Sequence, residues 1–115
     1  LKLIKEIRWQ GKHISLNDWY SNKHWTSRQK QKTQWHSFFS ELLGNQVKLT
    51  KYKLEIEYNS RLDVDNVMVQ KFLNDTMKEN GWIIDDNKKY FKGMSIAVNE
   101  GLPDKTYIIR IFGEK

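Results

Sequence analysis

The sequence predicts one α+β domain, a mixed β-sheet with about two helices packed on it, in the order β-α-β-α-β-β. Three observations carry that expectation. A helical apolar stripe occurs twice, period-two alternation occurs between and after the stripes, and no linker, internal repeat or low-complexity tract divides residues 1–115. Hydrophobic residues make up 38% of the chain, and five each of Trp, Tyr and Phe supply the bulk for a single core.

The elements follow in order. Leu3, Ile7 and Trp9 suggest an opening strand over residues 1–9 that ends at the turn signal Gln10-Gly11. From Thr26 or Ser27 as cap to Gly44 as stop, Trp35, Phe38, Phe39, Leu42 and Leu43 fall at i, i+3, i+4, i+7 and i+8 of a helix. Tyr52, Leu54, Ile56 and Tyr58 alternate with Lys53, Glu55, Glu57 and Asn59, the pattern of a strand with one buried face. Val69, Phe72, Leu73 and Met77 form the stripe of a second helix over about 66–79, closed by Asn80-Gly81. Residues 88–98 and 105–112 then read as two strands, with Met94/Ile96/Val98 and Tyr107/Ile109/Ile111 alternating and the only proline, Pro103, in the loop between them.

Composition bounds the chemistry. There is no cysteine, which excludes disulfides, thiolate zinc sites and a cysteine nucleophile, so any metal falls to carboxylates, amides or imidazoles. Such ligands favour hard cations. His13, His24 and His36 lack helical i, i+4 spacing and suggest no zinc site. No apolar run approaches the roughly 18 residues that span a bilayer, so the chain is expected to be cytoplasmic with no membrane partner.

The net charge of +6 is uneven: residues 1–60 hold eleven Lys/Arg and five Asp/Glu, and residues 61–115 hold nine of each. Clustered positive charge fits either a polyanionic partner, nucleic acid being the commonest, or a merely basic surface. Between Arg8 and Trp35 basic and aromatic residues interleave. Lys12, Asn17, Trp19, Tyr20, Lys23, Trp25, Arg28, Lys30 and Lys32 are candidate nucleic-acid contacts, with the cations for phosphates and exposed rings for unpaired bases. Trp35 and Trp9 read instead as core.

The most informative stretch is Asn59-Ser60-Arg61-Leu62-Asp63-Val64-Asp65-Asn66, where the second strand gives way to the second helix. In extended chain Asp63 and Asp65 point to one side. Two such charges about 4 Å apart repel by roughly 4 kcal/mol at an effective dielectric of 20, which a divalent cation would turn into attraction. Asp85-Asp86 follows about twenty residues on. If the helix runs antiparallel to the strands, both clusters could return to neighbouring positions and share one site. Each cluster also has an ordinary reading: Asp63, Asp65 and Asn66 as turn and cap residues, and Asp85-Asp86-Asn87 as a loop. A calcium loop is disfavoured, since Val67 and Met68 stand where an oxygen ligand and a glycine are needed.

These residues resemble the RusA family of Holliday junction resolvases, whose pattern is a strand, Asp-x-Asp-Asn, a helix carrying a lysine and an aspartate, a Gly-aromatic pair, and Asp-Asp before another strand. The matching residues are Arg61-Leu62-Asp63-Val64-Asp65-Asn66, then Lys71 and Asp75, Gly81-Trp82, and Asp85-Asp86. Ser15-Leu16-Asn17 with Tyr20 and Arg28 is similar to the family's N-terminal loop. The motif covers residues 61–87.

The resemblance implies a RusA-like fold and a Mg²⁺-dependent crossover junction endodeoxyribonuclease, with Mn²⁺ as a possible substitute. Asp63, Asp65 and Asp86, helped by Asp85, would hold the metal, Lys71 would add positive charge, and Arg61 and Asn66 would join the DNA contacts. It further implies a homodimer acting on four-way DNA junctions in recombination and repair, of bacterial or prophage origin. One departure stands out. The family's lysine follows the second aspartate by four residues, where this chain has Val69; Lys71 lies two further on. The extra residues lengthen the turn, form a π-bulge, or turn Lys71 aside to pair with Asp75. Two other functions fit the same residues: a non-catalytic basic nucleic-acid-binding module, and a nuclease for flaps or forks.

Overall fold

The computed structural model describes residues 1–11, 25–64 and 67–115, with only the backbone of Trp25 and Thr26. The elements are β1 (Lys2–Gln10), α1 (Trp25–Leu43), β2 (Lys51–Asn59), α2 (Val69–Glu79), β3 (Phe91–Val98) and β4 (Thr106–Glu114), the order expected. Among the described residues they form one four-stranded mixed sheet in the order β1-β4-β2-β3 with two helices. β4 pairs antiparallel with both β1 and β2, while β2 pairs in parallel with β3.

Alternation decides the core. Tyr52, Leu54, Ile56 and Tyr58 of β2 and Tyr107, Ile109 and Ile111 of β4 are all buried on one face, where Trp35, Phe39 and Leu43 of α1 and Val69, Phe72, Leu73 and Met77 of α2 join them. Three register partners stack in a row across three strands: Trp9 lies 5.2 Å from Tyr107, which lies 5.6 Å from Tyr58. Trp35 stacks on Phe72 at 5.5 Å and ties the helices together. Both indoles expected in the core are there.

Several boundaries differ from expectation. α1 is already helical at Trp25, so Thr26 and Ser27 lie inside it and Trp25 belongs to a helix rather than to the loop before one. α2 begins at Val69, three residues later than expected, and Met68 occupies the cap position without a side-chain cap bond. β3 starts at Phe91 rather than at residue 88, because Asn87 builds a turn: its side-chain oxygen accepts from the Lys89 amide at 3.0 Å and its carbonyl from the Phe91 amide at 2.8 Å. Leu3 is exposed although its spacing with Ile7 and Trp9 suggests a buried face. A bulge between Leu3 and Lys5 shifts the register, and Ile4 packs against the core instead.

Candidate functional site

The turn after β2 is anchored by two buried phenols. Tyr58 donates its hydroxyl to the Leu62 carbonyl at 2.8 Å, and the Tyr107 hydroxyl lies 2.9 Å from Ser60 Oγ, which also accepts from the Leu62 amide at 3.2 Å. Burial raises the Tyr107 pKa and keeps its hydroxyl protonated, against the smaller opposing effect of the Ser60 hydrogen bond. Asp63 follows directly, with an exposed side chain, and Arg61 is exposed beside it. Asp65 and Asn66 lie outside the described residues.

The turn before β3 is built differently. Asp85 Oδ1 accepts from the Asp86 amide at 2.8 Å and meets Lys78 Nζ at 3.2 Å, while Oδ2 accepts from Asn87 Nδ2 at 3.3 Å. The Asp86 amide first, then the Lys78 ammonium, holds the Asp85 carboxyl below the usual range. Asp85 therefore orders the turn, and Asp86 is the more exposed of the two. Close by, Tyr52 donates to Asn74 Oδ1 at 2.7 Å, and burial, followed by the charges of Asp86 and then Asp85, pushes the Tyr52 phenol up. Gly81, at φ 76°, turns the chain out of α2, and Trp82 is buried with its carbonyl taken by the Leu49 amide at 2.8 Å. The Gly-aromatic pair of the motif is thus structural: it delivers the chain from the helix to the second acidic turn.

The two turns do not meet within one chain. In the parallel β2–β3 pair, Tyr52 stands opposite Phe91 and Tyr58 opposite Val98. The chain leaves β2 at its C-terminal end to make the Asp63 turn and enters β3 at its N-terminal end after Asp85-Asp86. The intervening helix, 11 residues and about 16 Å long, carries it from one end to the other. The expected convergence of Asp63 with Asp85 and Asp86 is thereby corrected: a helix running back along a strand returns the chain to the strand's beginning, so a parallel crossover separates the turns that flank it. Among the described residues no three Asp, Glu or His side chains gather into a metal-binding group. The donors themselves suit a hard cation, since Asp63 and Asp86 offer exposed carboxylate oxygens and no thiolate is present.

Lys71 sits in the first turn of α2, its amide bonded to the Met68 carbonyl at 3.1 Å, with an exposed side chain. The helix starts at Val69, which makes Lys71 its third residue. Among the described residues Lys71 and Asp75 form no ion pair. Of the proposed DNA contacts, Lys12, Asn17, Trp19, Tyr20 and Lys23 lie outside the described residues, as does the Trp25 side chain. Lys30 and Lys32 are exposed on α1, and Arg28 is half-buried.

Sequence reasoning missed a second basic surface. Lys48, Lys51, Lys88, Lys89 and Lys92 are exposed around the strand ends beside Asp85-Asp86. Their only legible signal was the pair Lys88-Lys89, hidden by the neutral total of residues 61–115. No protein-family model matches the chain, and comparison with curated proteins gives no match.

Proposed function

We propose that the protein is a Mg²⁺-dependent endonuclease for branched DNA, resolving four-way junctions as the RusA-like motif implies. The observation that carries this reading is the element order. The motif's aspartates, glycine-aromatic pair and lysine occur on the β-α-β-α-β-β arrangement that the resemblance implies, with an acidic turn at each end of α2. Bound Mg²⁺ would supply a water of lowered pKa and neutralise charge on the scissile phosphate. The carboxylates of Asp63, Asp65 and Asp86 would hold the ion, and Asp85 would position Asp86 by fixing the turn. Exposed lysines on α1 and beside Asp86 would bind the phosphate backbone.

The separation of the turns gives the proposed homodimer a definite task. An ion that uses both Asp63 and Asp86 draws them from two copies of the chain, and a twofold dimer then holds two equivalent sites. A four-way junction presents paired strands to match.

The same separation favours a second reading, a binding module whose acidic turns are structural. A panel of labelled four-way junction, flap, fork and duplex in Mg²⁺ discriminates. Preferential junction products are expected. Salt-sensitive binding without products would establish the module, and preferential flap or fork cutting would reassign the substrate.

A further inference from the structure

Among the described residues β1 and β3 are the two edges of the sheet, and they are made differently. β1 carries Lys2, Lys5, Glu6 and Arg8, the charges that usually keep an edge from pairing. The stretch Met94-Ser95-Ile96-Ala97-Val98 of β3 carries none. In register, Met94 lies opposite Leu54, Ile96 opposite Ile56 and Val98 opposite Tyr58, so these three side chains continue the core face of the sheet. Their β2 partners are at most 1% exposed, whereas Met94 is 44% and Val98 50% exposed. Among the described residues the apolar face runs on past the last paired strand, with Ile96 partly covered and Met94 and Val98 left exposed.

We propose that this edge pairs antiparallel with β3 of a second copy, about a twofold axis at Ile96. Three features argue for a second copy rather than another partner. The register is self-complementary: an axis at Ile96 sets Met94 opposite the partner's Val98, and it brings Lys92 near the start of one strand towards Glu100 in the turn just past the end of the other. An axis perpendicular to the sheet keeps the apolar stripes on one face. Antiparallel pairing also brings the start of one β3 to the end of the other, so the Asp85-Asp86 turn of each copy lies at the same sheet end as the partner's Asp63. Ile84 and Val64, exposed apolar neighbours of those turns at 63% and 43%, come to that end as well. The inference names the partner surface of the proposed nuclease and so rests on that reading for its purpose, but its test needs neither DNA nor metal.

The chain has no cysteine, so an introduced one reports cleanly. Opposed residues in an antiparallel pair stand about 4.5–5.5 Å apart at Cα, within disulfide reach. Ile96→Cys is expected to oxidise to a reducible covalent dimer of twice 13.9 kDa. Met94→Cys alone, about 13 Å from its copy along the strand, is expected not to cross-link, but to do so when mixed with Val98→Cys. The unmodified chain should sediment as a dimer, and Ile96→Lys should halve its mass. A single-copy mass for the unmodified chain at high concentration would overturn the proposal, as would a dimer in which Ile96→Cys cross-links no faster than Gln34→Cys on the exposed side of α1. A dimer that cuts no DNA leaves this surface standing and removes the nuclease; a monomer that cuts does the reverse.

Discussion

Tyr58 holds Leu62: its fully buried hydroxyl donates to the Leu62 carbonyl at 2.8 Å, and the turn bearing Asp63 begins at that bond. An acidic turn next to solvent is thereby tied to one end of the aromatic row, whose other members, Tyr107 and Trp9, are locked by cross-strand register. The position of the first carboxylate is set by the core.

Tyr58→Phe keeps the ring and removes the bond, leaving a buried carbonyl unsatisfied. The expected cost is about 1–3 kcal/mol, read as a lower urea midpoint at unchanged m-value. Ser60→Ala, which removes the part-buried 2.9 Å hydrogen bond to Tyr107, should cost less. Equal stability of Tyr58→Phe and the unmodified chain would show that the turn holds itself.

Asp85 gives the fold an acid-sensitive tie. Its carboxyl sits below the usual range because the Asp86 amide and Lys78 favour the charged form. A group depressed in the folded state contributes stability above its unfolded value, near about pH 4, and loses it as pH falls through the folded value. Asp85→Asn should therefore be less stable than the parent at pH 7, with the gap closing as pH falls through the lowered folded-state value. Denaturation series at neutral and acid pH measure it, and a gap that widens in acid contradicts the assignment.

Subunit mixing addresses the placement of the site. Asp63→Asn and Asp86→Asn should each be inactive. If one copy's Asp63 serves with the other's Asp86, every mixed dimer regains one intact site, and random exchange restores about a quarter of parental nicking. A mixture as inactive as its components would place both residues in one subunit's site.

Much of this was legible in the sequence because periodicity reports burial. The stripes at Trp35–Leu43 and Val69–Met77 and the alternation at Tyr52–Tyr58 read directly as core, since each repeats several times within one element. Strand order did not read at all. Nothing in residues 51–98 marks the β2–β3 pair as parallel, and that one fact sends Asp63 and Asp86 to opposite ends. Met94 and Val98 alternate as buried residues would, and only the position of β3 at the edge leaves them exposed. The start of α2 was misjudged because Asp65-Asn66 has the composition of a cap, whereas helical geometry begins at Val69. The contacts through which Asp85 orders its turn, with Lys78 and Asn87, carry no signal in the sequence.

The most direct measurement is Mg²⁺-dependent cleavage of a labelled four-way junction by the parent chain and by Asp65→Asn and Asp86→Asn. The parent should give paired nicks that EDTA abolishes, while both variants still bind the junction and cut it roughly 100-fold more slowly or worse. A parent that binds without cutting, or an Asp86→Asn protein that cuts at the parental rate, would contradict a metal held by these two turns.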